Sequence, residues 1–156
     1  MSPVHRRLAA CLCVALAGGW ALSHAAESEA GAGAPPPAAP TRSVWSGVYS
    51  AEQAARGLKG YNAQCARCHG ETLGGGEDSP ALVDQDFLGD WNGKSVGSLV
   101  EYTRKKMPSD GPGKLSRQLC TDIVAYLLSA NGFPAGSAGL EPDVDVLNRI
   151  SIEPKK

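Results

Sequence analysis

Apolar positions recur at helical spacing in three stretches of the chain. Ala54, Gly57, Leu58 and Tyr61 fall at three- and four-residue intervals, as do Val96, Leu99, Val100 and Thr103. Leu119, Ile123, Tyr126, Leu127 and Ala130 repeat the pattern. This period is that of an amphipathic helix with one face turned inward. Strand-like alternation is not evident, so the pattern predicts an all-α fold built on three main helices.

The boundaries of these helices carry their own signals. Ser50 precedes the first stretch with Gln53 three residues on, the form of a capping box in which the glutamine reaches back. Ser95 is placed to cap the second, which runs to Lys105-Lys106; Pro108 disfavours helix at the residue before it, so Met107 falls on an extended strap. Ser116 caps the third, with Leu115 and Cys120 spaced as a hydrophobic staple, which gives Cys120 the role of a buried free thiol. Gly132 suits the position after a helix end, and Pro134 prevents continuation.

The flanks read differently. Residues 1–26 have a basic start (Arg6, Arg7), an apolar run from Leu8 to Leu22 and small residues at Ser23 and Ala25, the form of a secretory signal peptide. The run is short and rich in Gly and Ala for a membrane span, and an uncleaved anchor is the alternative. Residues 27–43 are rich in Pro, Ala and Gly and read as a flexible leader. The folded domain is expected over 44–134, with 135–156 as a partly ordered C-terminal tail. Export points to a bacterial periplasm and to no stable membrane insertion after cleavage.

Charge excludes little. Loss of Arg6 and Arg7 takes Lys+Arg from 15 to 13 against 16 Asp+Glu, a net charge of −3, which does not point to nucleic acid. The cations near Met107 (Arg104, Lys105, Lys106, Lys114 and Arg117) could steer an acidic partner, or be a solvated helix end.

The candidate chemistry lies in Cys65-Ala66-Arg67-Cys68-His69. Two thiols three residues apart share a helical face, and a histidine follows at once, the spacing of a c-type haem attachment site. A redox dithiol and half of a zinc site are the other readings of the cysteine pair. A thioredoxin-like site would sit in a βαβ pattern, and a zinc site would need two more ligands where only Cys120 remains. After loss of the signal, His69 is the single histidine and Met107 the single methionine. A second imidazole ligand is thereby excluded within the chain, and Met107 is the leading candidate opposite His69 on the iron. Metal-bound histidines donate their other ring N–H to a carboxylate or carbonyl, and the Pro80 carbonyl is the candidate acceptor. Phe87 and Trp91 offer apolar surface for a haem wall or for ordinary core. Gly74-Gly75-Gly76 lacks the Gly-Lys-Ser/Thr ending of a phosphate loop.

These residues resemble the class I c-type cytochromes. The likeness spans about Val48–Pro134 and rests on Gly57-x-x-x-Tyr61, the Cys65–His69 motif, Met107-Pro108 and Asp122–Leu127. Ser79-Pro80-Ala81-Leu82 and Asn131-Gly132-Phe133-Pro134 are similar to the small cytochromes that accompany quinoprotein dehydrogenases. The resemblance implies a class I cytochrome c fold, its first and last helices crossing near Gly57 and Tyr126, around one haem c held through Cys65 and Cys68. It implies iron ligation by His69 and Met107, with Pro80, Leu82 and Trp91 against the cofactor. The implied function is one-electron transfer between redox proteins rather than catalysis, with a periplasmic dehydrogenase and a terminal oxidase or another cytochrome as partners. A cytochrome subunit of a quinoprotein alcohol dehydrogenase complex is one alternative, and a five-coordinate haem sensor or peroxidase-like protein is another.

Overall fold

The computed structural model describes residues 41–155, within the compact unit Pro35–Lys156. The expected signal peptide, most of the leader and Lys156 lie outside the described residues. Six helices occur among the described residues: α1 (Ala51–Gln64), α2 (Ala66–His69), α3 (Asp84–Trp91), α4 (Val96–Lys106), α5 (Arg117–Ala130) and α6 (Val144–Asn148). Two short strands, β1 (Arg42–Ser43) and β2 (Ile150–Ser151), pair in parallel, Arg42 opposite Ile150. The three expected helices are α1, α4 and α5.

Each of the three starts where its serine cap allows. Ser50, Ser95 and Ser116 hold extended backbone, and their hydroxyls accept from the amides of Gln53, Ser98 and Leu119. Each cap satisfies a backbone donor that the helix leaves open. The other half of the expected capping box is absent. Gln53 does not reach back to Ser50; it is buried and donates to Asp122 Oδ1 and the Leu140 carbonyl, both at 3.0 Å. Its Oε1 accepts from the Leu140 amide. A buried amide needs partners for both its ends, and α5 and the C-terminal segment supply them. At the end of α5 the Gly132 amide donates to Ser129 and the Phe133 amide to Leu128, with Gly132 at φ 76°. That is the left-handed glycine cap the sequence signals.

The central contact is α1 across α5. A Cβ added at Gly57 would lie 1.8 Å from the Asp122 carbonyl oxygen and 2.9 Å from Tyr126 Cβ. The missing side chain therefore lets the two backbones touch. Tyr61, one turn on, packs its ring 5.3 Å from that of Tyr126. Asp122 faces the same seam and accepts from Gln53, Arg56 and Gln118. The single apolar face expected for α5 proves too narrow. Cys120, Thr121, Asp122, Val124, Ala125 and Leu128 are buried along with Ile123 and Leu127, whereas Ala130 is exposed. A helix covered on several sides loses its one-faced pattern.

The segment after Pro134 is packed rather than trailing. Leu140, Leu147, Ile150 and Ile152 are all buried in the core. The Thr41 amide donates to Arg149, and the Trp45 indole donates to the Glu153 carbonyl. Asn148 lies against Gly97 of α4, where an added Cβ would fall 2.2 Å from its Oδ1. The last two residues assigned to the leader, Arg42 and Ser43, thus pair with the chain's far end. This cover enlarges a core that 91 residues alone would leave thin.

Candidate functional site

The chain leaves α1 at Gln64 and turns at once. Cys65 caps that helix, its amide donating to Tyr61, and its carbonyl accepts from the amides of Cys68 and His69 in α2. This one-turn helix sets both thiols and the imidazole on a single short element. Gly70 ends it at φ 78°, and its carbonyl accepts from the Tyr61 hydroxyl at 2.6 Å. The following loop folds back through Gly75, φ 79°, where a Cβ would stand 2.6 Å from the Ser79 carbonyl. Only glycine fits that approach. The fold-back brings the Pro80 carbonyl within 2.9 Å of His69 Nδ1. With Nδ1 donating there, Nε2 keeps its lone pair for a metal.

The next turn of chain is held by a side chain the sequence reading did not credit. Asn131, the cap of α5, donates to the Leu82 carbonyl at 2.9 Å and accepts from the Asp84 amide at 2.9 Å. Leu82 is fixed between this clamp and a bond from its amide to Leu73. Helix α3 was likewise unforeseen. It buries Phe87 and half-buries Leu88 and Trp91, a short pattern of three- and four-residue spacings. Met107 follows the last residue of α4 in extended backbone, φ −119° and ψ 150°, as Pro108 requires.

All seven residues singled out for a cofactor meet at one cavity. Cys65, Cys68, His69, Pro80, Leu82, Trp91 and Met107 line a space of about 360 Å³, with Tyr61, Phe87, Leu99, Ile123 and Leu127 forming apolar wall. That volume falls in the range of cofactor pockets. The donor set suits haem c: two thiols, an imidazole with one nitrogen already engaged, and a thioether, all on the wall of one largely apolar cavity. Neither competing reading of the cysteines gains support. Among the described residues no group of three or more His, Cys, Asp or Glu is placed to hold a metal, as a zinc site would need. Burial, with smaller contributions from Cys120 and Cys68, pushes the Cys65 thiol up to about 11, the reverse of a reactive redox thiol. Tyr61 is pushed up to about 12, chiefly by burial, so its hydroxyl stays a donor to Gly70.

Arg104, Lys105 and Arg117 all converge on Glu101, at 3.1, 3.0 and 2.9 Å. Hydrogen bonding from Arg104 above all, then Lys105 and the Arg117 charge, hold Glu101 down to about 2 against burial. Three of the five cations near Met107 thus share one carboxylate, which offsets a single positive charge. Arg67, inside the cysteine motif, pairs with Asp110 on the methionine strap, joining the two exposed lips of the site.

Comparison with known proteins gives a family match over part of the chain. Residues 52–127 match the model of the family described as cytochrome c oxidase, cbb3-type, subunit III. No curated protein matches the chain. Among solved structures, that of the sulfane dehydrogenase SoxCD from Paracoccus pantotrophus is similar at 21% identity and a TM-score of 0.44. The likeness covers 69% of this chain and 61% of that one, so it spans less than two thirds of the other chain.

Proposed function

We propose that the chain is a class I c-type cytochrome, a periplasmic one-electron carrier with a single haem c ligated by His69 and Met107; the family match over residues 52–127 supports the reading. The observation that carries the reading is the shared cavity wall of Cys65, Cys68, His69 and Met107, with His69 Nδ1 2.9 Å from the Pro80 carbonyl. Iron in the bound haem supplies a reversible ferrous–ferric couple. Cys65 and Cys68 would hold the porphyrin through thioethers, each thiol adding across one vinyl group with its hydrogen passing to the other vinyl carbon. His69 would offer Nε2 to the iron, its ring fixed by the Pro80 carbonyl. The neutral sulfur of Met107 favours the ferrous state and raises the potential above that of a bis-imidazole centre. Phe87, Leu99, Ile123 and Leu127 exclude water, which disfavours the extra charge of the ferric form in the same direction.

With His69 and Met107 both offered to the iron, the chain would leave no site there for substrate, which favours electron transfer over catalysis. The single Cys-x-x-Cys-His in the sequence supports one haem. The form of residues 1–26 supports export, and no helix among the described residues is long and apolar enough to cross a membrane. Partners are other redox proteins, a dehydrogenase on the donor side and a terminal oxidase or second cytochrome on the acceptor side.

Voltammetry and carbon monoxide together test the function. The purified protein is expected to give a reversible one-electron wave, and its reduced spectrum to stay unchanged under carbon monoxide. Rapid carbon monoxide binding would instead favour a five-coordinate sensor or peroxidase-like site.

A further inference from the structure

The cavity wall holds one feature that axial ligation and thioether attachment leave unused. Lys94 is the only lining residue with a permanently cationic side chain; the other charged lining groups, His69 apart, are the carboxylates of Asp78 and Asp90. Lys94 has no ion-pair partner among the described residues. Its Nζ stands instead 5.0 Å from the ring centre of Trp91, whose ring meets that of Tyr102 edge-on at 5.6 Å. Both aromatic residues also line the cavity.

The backbone beneath this lysine is held firmly for an exposed turn. The Lys94 amide donates to Trp91, and its carbonyl accepts from the Ile152 amide at 2.9 Å. The Gly93 amide donates to the Ile152 carbonyl at 2.8 Å, and Ile152 is wholly buried. The C-terminal segment thus fixes the backbone that carries Lys94 at the cavity, with an indole N–H and a phenol hydroxyl on the neighbouring aromatic side chains.

A haem brings two carboxylate side chains on its periphery. Drawn from water, these anions need a cation or hydrogen-bond donors, and they are repelled by Asp78 and Asp90. We infer that Lys94, flanked by Trp91 and Tyr102, receives a carboxylate side chain of the porphyrin. The inference rests on the haem reading above. Pairing there offsets negative charge near the iron, so removing the lysine stabilises the ferric form.

The test compares the purified holoproteins of Lys94→Ala, Lys94→Arg and Lys94→Glu with the parent, reading the ferric-to-ferrous ratio at fixed applied potential in low salt and in 1 M salt. Lys94→Ala is expected to raise that ratio about three- to tenfold, Lys94→Glu to raise it further, and Lys94→Arg to restore it to within about twofold. The shift should persist in 1 M salt, because a contact pair is screened far less than a solvated charge. A ratio within about twofold of the parent in both the Ala and Glu variants, or a shift that vanishes in 1 M salt, overturns the assignment. Haem content separates the two levels: a parent protein without bound haem overturns the cofactor reading as well, whereas a fully loaded parent with indifferent variants overturns this assignment alone.

Discussion

Replacing Met107 with alanine is expected to leave a coloured protein whose ferric spectrum has lost the weak sulfur-to-iron charge-transfer band. Its ferrous form should then bind carbon monoxide, and its midpoint potential should fall by on the order of 0.1 V or more. The expectation follows from elimination and from geometry. Met107 is the single methionine beyond the expected signal, and it shares the cavity wall with the single histidine there. Pro108 keeps its backbone out of α4, so the side chain belongs to the strap and not to a packed helical face. Met107→Leu serves as the control for packing. A swap of similar volume should cost less than about 1.5 kcal/mol of stability, yet it should produce the same spectral loss, because the sulfur lone pair is what is missing. A ferric band unchanged in either variant would remove Met107 from the iron.

The largest effect on stability is expected at Gly57. Gly57→Ala places a methyl group 1.8 Å from the Asp122 carbonyl oxygen, and the obstructing atoms are mostly backbone. No rotamer change relieves such a clash, so α1 and α5 must separate along their main contact. A cost of about 3–5 kcal/mol is expected, at the extreme of single substitutions and a large share of the total stability of a small domain. Gly89→Ala, at an exposed position of α3 with nothing within 4 Å of the added carbon, is the matched control. It should be neutral or stabilising by about 0.5–1 kcal/mol. Denaturant midpoints of the haem-loaded proteins measure both. Equal midpoints for the two variants would mean that α1 and α5 do not meet closely at Gly57.

The features legible in the sequence were those set by local chemistry. Ser50, Ser95 and Ser116 cap where expected, because capping needs only a hydroxyl three residues from a helical amide. Gly132 ends α5 for an equally local reason. The Pro80 contact to His69 was legible because a ligating imidazole needs an acceptor for its other ring N–H. What escaped depends on distant partners. Gln53 has the spacing of a capping-box residue, but burial against Asp122 and Leu140 outweighs a solvent-exposed return bond. Residues 144–152 do cluster Val144, Val146, Leu147, Ile150 and Ile152, but the run is short and lies beyond the Gly132–Pro134 stop, so its burial depends on partners distant in sequence. Asn131 reads as a helix end, while its clamp on Leu82 and Asp84 crosses more than 45 residues. The basic residues near Met107 look free in sequence until Glu101 is seen to gather three of them.

The most direct measurement is the intact mass of the purified mature protein, taken with its visible colour before and after extraction with acidified acetone. A polypeptide heavier by one haem, with the colour remaining on the protein, is the predicted result. The bare polypeptide mass, or colour that passes wholly into the acetone, would contradict attachment through Cys65 and Cys68 and with it the whole assignment of the cavity.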